Sequence, residues 1–145
     1  KIEICHLLTK LKNDYQLLKT DKKLIISCSN TVIYGNQNLI SEALRGIIDN
    51  SIKYSEGEEI YITVEETDTF IKILIRDFGT HISNEDIKKI FDRHYRTERQ
   101  DTKSTRGLGL GLSIIKEIIE LHNAKIKLIN RDDGLDTEIY FNKQI

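Results

Sequence analysis

Two runs of strict alternation constrain this chain more than any other feature in it. In "EIYITVEE" (59–66) and "TFIKILIRDFG" (69–79) apolar and polar residues take turns, a period of two that suits a strand with one buried face. The polar stretch between them is short enough for a hairpin, so the two runs are expected to pair antiparallel. A sheet with one apolar face needs a cover. The rest of the chain supplies helices for it.

In "IEICHLLTKLKNDYQLL" (2–18), Ile4, Leu7, Leu8, Leu11, Tyr15 and Leu18 fall at helical spacing, which predicts one amphipathic helix. "NQNLISEALRGIIDNSIKYSEG" (36–57) has Asn36 as a cap, a helical period through Leu44 and Ile48, and Gly57 as a stop. "GLSIIKEIIELHNA" (111–124) is a third long helix, and "SNEDIKKIF" (83–91) a short one capped by Ser83. The short apolar runs "KLIISCS" and "TVIYG" read as strands, the second closing at Gly35. "KIKLIN" and "TEIYFN" flank the turn at Asp133 and Gly134 as a final hairpin. Fifteen residues, "DRHYRTERQDTKSTR" (92–106), hold Tyr95 as their one large side chain with an apolar body. That stretch cannot bury itself and is expected to be a mobile loop. The fold class that follows is α+β, with three or four helices layered over a largely antiparallel or mixed sheet.

At 145 residues the chain has room for one sizeable core, so residues 1–145 are expected to form one domain. Its 22 Lys and Arg against 23 Asp and Glu leave a net charge of −1, too little to gather nucleic acid or an anionic membrane surface. Cys5 and Cys28 sit in apolar-patterned segments with neither CxxC nor His spacing. They are expected to be buried, unbridged thiols of a reducing compartment. The sequence has no run of 18 apolar residues and no signal peptide, and its opening Lys1 is expected to mark a piece of a longer protein.

Three features carry chemistry. Asp77 follows Ile71, Ile73 and Ile75 on one strand face, so its carboxylate is aimed at the core side and calls for a donor. Gly79 just after it leaves backbone open to a flat group, although a plain turn accounts for the same residues. On the 36–57 helix, Glu42, Gly46, Asp49, Asn50 and Lys53 lie opposite the apolar arc. There an amide oxygen can ligate Mg²⁺ and an ammonium one turn on can meet a phosphate, although an ordinary solvated face reads the same way. In "RGLGLGLSI" (106–114), Gly107, Gly109 and Gly111 open a helix. A helix N-terminus presents unpaired N–H groups, and glycines let an anion approach them. The spacing matches neither a dinucleotide fingerprint nor a P-loop.

"IIDNSIKYS", "IRDFG", "FDRHYR" and "RGLGLGLSI", in this order, resemble the asparagine, first glycine, phenylalanine and second glycine boxes of bacterial sensor histidine kinases. The resemblance runs from about Leu7 to Phe141 and covers the catalytic ATP-binding domain of the GHKL superfamily. It implies a two-layer α/β sandwich of the Bergerat type, a mixed and mostly antiparallel sheet covered by helices, with ATP and Mg²⁺ as cofactors. It also implies roles for particular residues. Asn50 would hold Mg²⁺ and, with Lys53 near the phosphates, serve catalysis, while Tyr54 would pack near the adenine. Asp77 would accept from the adenine amino group, Gly79 and Ile82 would line the base pocket, and Thr137 would help through water. Arg96 would reach the phosphates from the lid edge, and Gly107, Leu108, Gly109, Leu110 and Gly111 would close over the nucleotide.

The partners implied are a dimerisation and phosphoacceptor domain of the same kinase and a response regulator, with no nucleic acid and no direct membrane contact by this segment. The location implied is a cytoplasmic domain of a membrane-anchored sensor. Three positions depart from the pattern: Gly46 replaces a second asparagine, His81 a glycine, and His94 a phenylalanine. None of the four histidines has a phosphoacceptor context, so all are expected to be structural and the nucleophile to come from outside. Two other readings remain open, a degenerate nucleotide-binding or scaffold domain and a different GHKL ATPase or protein kinase.

Overall fold

Residues 1–17, 22–79, 83, 85, 87 and 111–143 are described by the structure, a computed structural model. In chain order its elements are β1 (Ile2–Glu3), α1 (Ile4–Leu17), β2 (Lys23–Ser27), β3 (Val32–Ile33), α2 (Gln37–Tyr54), β4 (Glu59–Glu66), β5 (Phe70–Phe78), α3 (Leu112–Leu121), β6 (Ala124–Arg131) and β7 (Gly134–Asn142). Five strands form one sheet in the order β2-β4-β5-β7-β6, and β1 pairs separately with β3. This is the expected α+β fold with a mixed sheet. Within the 83–91 segment, Glu85 and Ile87 are helical. The 92–106 loop lies outside the described residues.

The two alternating runs become β4 and β5, antiparallel as expected, with Ile62 opposite Ile75 and Val64 opposite Ile73. Residues directly opposite share a face, so Ile60, Ile62, Ile73 and Ile75 merge into one apolar surface with no exposure at all. The helices α2 and α3 cover it with Ile40, Leu44, Ile48, Ile115 and Ile119, each likewise fully buried. Asn36 caps α2 as predicted, its side-chain oxygen accepting from the Leu39 N–H. His122 is structural as expected: Nδ1 lies 2.8 Å from the Ile118 carbonyl oxygen and Nε2 accepts from the Asn36 N–H at 3.0 Å. No helix among the described residues is long and apolar enough to cross a membrane.

Ile2 and Glu3, read with the first helix, form β1 instead, and two larger features depart from the sequence reading. The edge strand β2 runs parallel to β4, which requires a crossover that α2 provides between them. The cysteines are the second. A disulfide joins Cys5 to Cys28, with Cα atoms 6.0 Å apart, and both residues are half-buried rather than enclosed. The expectation of unbridged thiols failed because the start of α1 folds back onto the segment after β2, where the Ile4 N–H donates to the Thr31 carbonyl at 2.9 Å. Neither apolar patterning nor motif spacing encodes that tertiary contact.

The centre of the sheet carries the packing. Replacing Ile73 with alanine is expected to lower the unfolding free energy by about 2–5 kcal/mol, the range for emptying a close-packed aliphatic site. Urea denaturation of the two chains measures it, and a loss under about 1 kcal/mol would mean that the site collapses around the smaller side chain.

Candidate functional site

The end of α2 is bound to the end of β5, which gathers several predicted residues in one region. Beyond Asn50 and Lys53 the helix stops at Ser55, whose N–H still bonds to the Ser51 carbonyl. Ser55 Oγ then donates to the Phe78 carbonyl at 2.8 Å, and the Glu56 and Gly57 N–H groups donate to the same oxygen at 2.7 and 3.2 Å. Lys22 Nζ donates to the Ser55 and Gly57 carbonyls, a cation placed where the helix dipole ends negative. Asn50 and Lys53 are half-buried on this last stretch of helix.

Asp77 is 2% exposed and lies on the helix-covered face with Ile73 and Ile75. Its Oδ1 accepts from the Leu135 N–H of β7 at 3.3 Å, part of the donor requirement that its inward direction imposed. Thr137, 5% exposed, stands opposite Ile75 in the register and so shares that face two residues along β7. Gly79 has φ of 142°, and a Cβ there would come within 2.7 Å of the Glu56 backbone nitrogen. Glycine is therefore required for the close approach of the chain after α2.

The polar arc of α2 is divided. Gly46 is buried, not on the open side where the helical wheel placed it. Asp49 accepts a hydrogen bond from the hydroxyl of Tyr15 on α1, and Arg45 pairs with Asp14 at 3.1 Å. Burial raises the Asp49 carboxyl pKa, partly offset by the Tyr15 hydrogen bond and the charges of Lys53 and Arg45. Asp49 thus braces α2 against α1, and Asn50 and Lys53 remain as the candidate ligand groups.

At the start of α3, Gly111 occupies the N-cap with no side-chain hydrogen bond, and among the described residues a Cβ built on it would meet nothing within 4 Å. Among the described residues nothing crowds this helix end, whose N–H groups suit an approaching anion. Ile82, Arg96, Gly107, Leu108, Gly109 and Leu110 lie outside the described residues, as do His81 and His94. Of Tyr54 only the backbone is described, as the last residue of α2.

Sequence reasoning missed a charge network on the other face of the sheet. Arg76 of β5 forms a two-pronged pair with Asp136 of β7, at 2.8 and 2.9 Å, and Arg131 Nε donates to the same carboxylate at 2.7 Å. Arg131 also reaches Asp133 and the Asp77 carbonyl through its terminal nitrogens. Burial alone would raise the Asp136 carboxyl, but the hydrogen bonds and charges of Arg76 and Arg131 outweigh it and hold it below the usual carboxylate range. The signal available beforehand was an acid two residues after the turn glycine. It needed the strand register to find its partners.

Comparison with known proteins agrees with this geometry. Residues 35–144 match the family model described as "Histidine kinase-, DNA gyrase B-, and HSP90-like ATPase". Sensor protein SrrB of Staphylococcus aureus is 35% identical over 127 residues, covering 85% of this chain and 22% of that protein. Sensor protein CiaH of Streptococcus pneumoniae is 34% identical over 111 residues, 74% of this chain and 25% of that protein. The chain thus spans about a quarter of the length of these relatives. Among solved structures, the catalytic domain of histidine kinase ThkA superposes with a TM-score of 0.81 at 26% identity, covering 98% of this chain and 93% of that one. The mycobacterial sensor histidine kinase MprB has the same fold, with a TM-score of 0.82 at 18% identity over 97% of this chain and 95% of that one.

The Asp136 network sets a pH dependence. A carboxyl lowered in the folded chain contributes stability that is complete above its unfolded value, near pH 4, and is lost as pH falls through the folded value. The stability gap between the parent chain and Asp136→Asn is expected to be full at neutral pH and to narrow below about pH 4. Urea unfolding at intervals between about pH 7 and pH 3 measures it. A gap independent of pH would show that Asp136 contributes through shape and not through charge.

Proposed function

Since this chain belongs to the histidine kinase-, DNA gyrase B- and HSP90-like ATPase family, among the ATP-binding domains of sensor histidine kinases, we propose that it binds Mg-ATP and presents the γ-phosphate to a phosphoacceptor histidine on a separate domain. The observation that carries this reading is Asp77, a carboxylate 2% exposed on the helix-covered face, at the strand end to which the end of α2 is hydrogen-bonded. Burying an acid there is costly unless donors meet it, and the exocyclic amino group of adenine is such a donor.

The remaining roles are those that the family resemblance implies. Thr137, on the same face, supports the base beside Asp77, and Gly79, Tyr54 and Ile82 complete its pocket. The Asn50 amide oxygen is one hard ligand for Mg²⁺, and the Lys53 ammonium is a compact charge for the phosphates. Arg96 and the stretch Gly107, Leu108, Gly109, Leu110 and Gly111 hold the phosphate tail, with backbone N–H groups at the mouth of α3 as donors. Mg-ATP, when bound, supplies the γ-phosphoryl group. What the protein contributes is positioning and charge stabilisation.

The acceptor, on this reading, belongs to a dimerisation and phosphoacceptor domain of the same kinase, with a response regulator downstream and a cytoplasmic position in a membrane-anchored sensor. The matched segments make up only 25% and 22% of these relatives, which leaves room for such domains. The neighbour ThkA has been solved in complex with the response regulator protein TrrA, and there 99% of this chain superposes on 41% of that one.

ATP is expected to displace a fluorescent adenine nucleotide far better than GTP does, and equal displacement would defeat the reading. Asp77→Asn is expected to keep the fold and weaken ATP binding by about 1–3 kcal/mol, the cost of mispairing a buried polar group. Calorimetric titration measures it, and unchanged affinity would make Asp77 a turn residue only.

A further inference from the structure

The charge network behind the sheet has a specific target. In the register, Phe78 of β5 stands opposite Gly134 of β7, and Gly134 stands opposite Arg131 of β6. Directly opposite residues share a face, so the Arg131 side chain can cross over Gly134 toward β5. It does so, with its guanidinium carbon 4.8 Å from the centre of the Phe78 ring and a terminal nitrogen on the Asp77 carbonyl oxygen. The crossing needs glycine in the middle, because a Cβ on Gly134 would lie 2.1 Å from the Asp77 carbonyl oxygen and 2.8 Å from the Arg131 nitrogen.

A guanidinium is a planar fork whose donors point in fixed directions. Here one edge is held by Asp136 at 2.7 Å and a terminal nitrogen by Asp133, while Asp136 is itself anchored by Arg76, the residue before Asp77. With the fork fixed, the group that it sets is the Asp77 backbone. The Asp77 carboxylate leaves that backbone toward the opposite face and takes the Leu135 N–H at 3.3 Å. The Gly79 N–H is held by the Asp133 carbonyl at 3.0 Å, so the whole strand end is clamped to the β6–β7 turn.

We propose that Arg131 is a positioning residue for base recognition, which it performs from the far face of the sheet by fixing the Asp77 backbone and so the direction of the Asp77 carboxylate. This rests on the reading of Asp77 as the acceptor for the adenine amino group. The consequence is selective. Loss of the fork lets the carboxylate wander, which penalises a base that donates to it and spares a base that does not.

The test compares ATP with purine riboside triphosphate, which lacks the amino group, in competition with a fluorescent adenine nucleotide. The parent chain is expected to prefer ATP. Arg131→Gln is expected to reduce that preference by about tenfold, roughly one well-made hydrogen bond to a charged group, while affinity for the purine analogue changes by less than about threefold. Arg131→Lys keeps the charge without the fork and is expected to give the same loss, which covers the case in which Arg131→Gln does not fold. In the absence of nucleotide, hydrogen exchange at the Leu135 and Gly79 amides is expected to quicken in the variants, with the Ile73 and Ile139 amides unchanged. A parallel fall in affinity for both nucleotides, or an unaltered preference, overturns the proposal while the adenine reading stands. A parent chain that does not distinguish the two nucleotides overturns the adenine reading, and the recognition role of Arg131 with it.

Discussion

The carbonyl oxygen of Phe78 is the point on which this architecture turns. It accepts from Ser55 Oγ and from the Glu56 and Gly57 N–H groups, so the last residue of β5 is also the anchor for the chain leaving α2. Ser55 is buried and Gly57 and Phe78 are half-buried, so their polar groups need partners. Satisfying them together places the helix that carries Asn50 and Lys53 beside the strand that carries Asp77. Two motifs more than twenty residues apart in sequence become one region through two backbone hydrogen bonds and one from the Ser55 hydroxyl.

What was legible in the sequence follows from periodicity. The β4–β5 hairpin, the cap at Asn36 and the apolar arcs of α1, α2 and α3 are local patterns, and each appears where the pattern puts it. The inward direction of Asp77 was legible for the same reason: parity along a strand decides the face, and three isoleucines had already fixed it. The family was legible because four ordered motifs carry more information than any one of them.

What was not legible depended on long-range contact. The parallel pairing of β2 with β4 and the Cys5–Cys28 bridge are made by segments whose own sequences are silent about their neighbours. Gly46 was misplaced because a helical wheel treats one face as solvent, whereas α2 is flanked by α1 as well as by α3: Tyr15 and Asp14 of α1 engage Asp49 and Arg45. At Gly79 the sequence shows only that a side chain is missing, and the Glu56 backbone is what lies against the position a Cβ would take. A glycine marks a close approach and leaves open which group makes it.

The alternation that makes β5 legible also divides the labour of its final residues. Arg76 and Phe78 must face away from the helices if Asp77 faces toward them, so nothing on the back of the sheet can touch a ligand held on the front. It can, however, hold the backbone from which Asp77 projects. Rigidity there matters because a hydrogen bond to a ligand weakens steeply with direction, and a buried acceptor that points wrongly still carries its desolvation cost. Strand ends are where ladders fray, and Asp77 lies one residue from the end of β5. Two arginines, one shared carboxylate and a turn glycine close that end from behind, at the place where the sheet alone is least able to keep its shape.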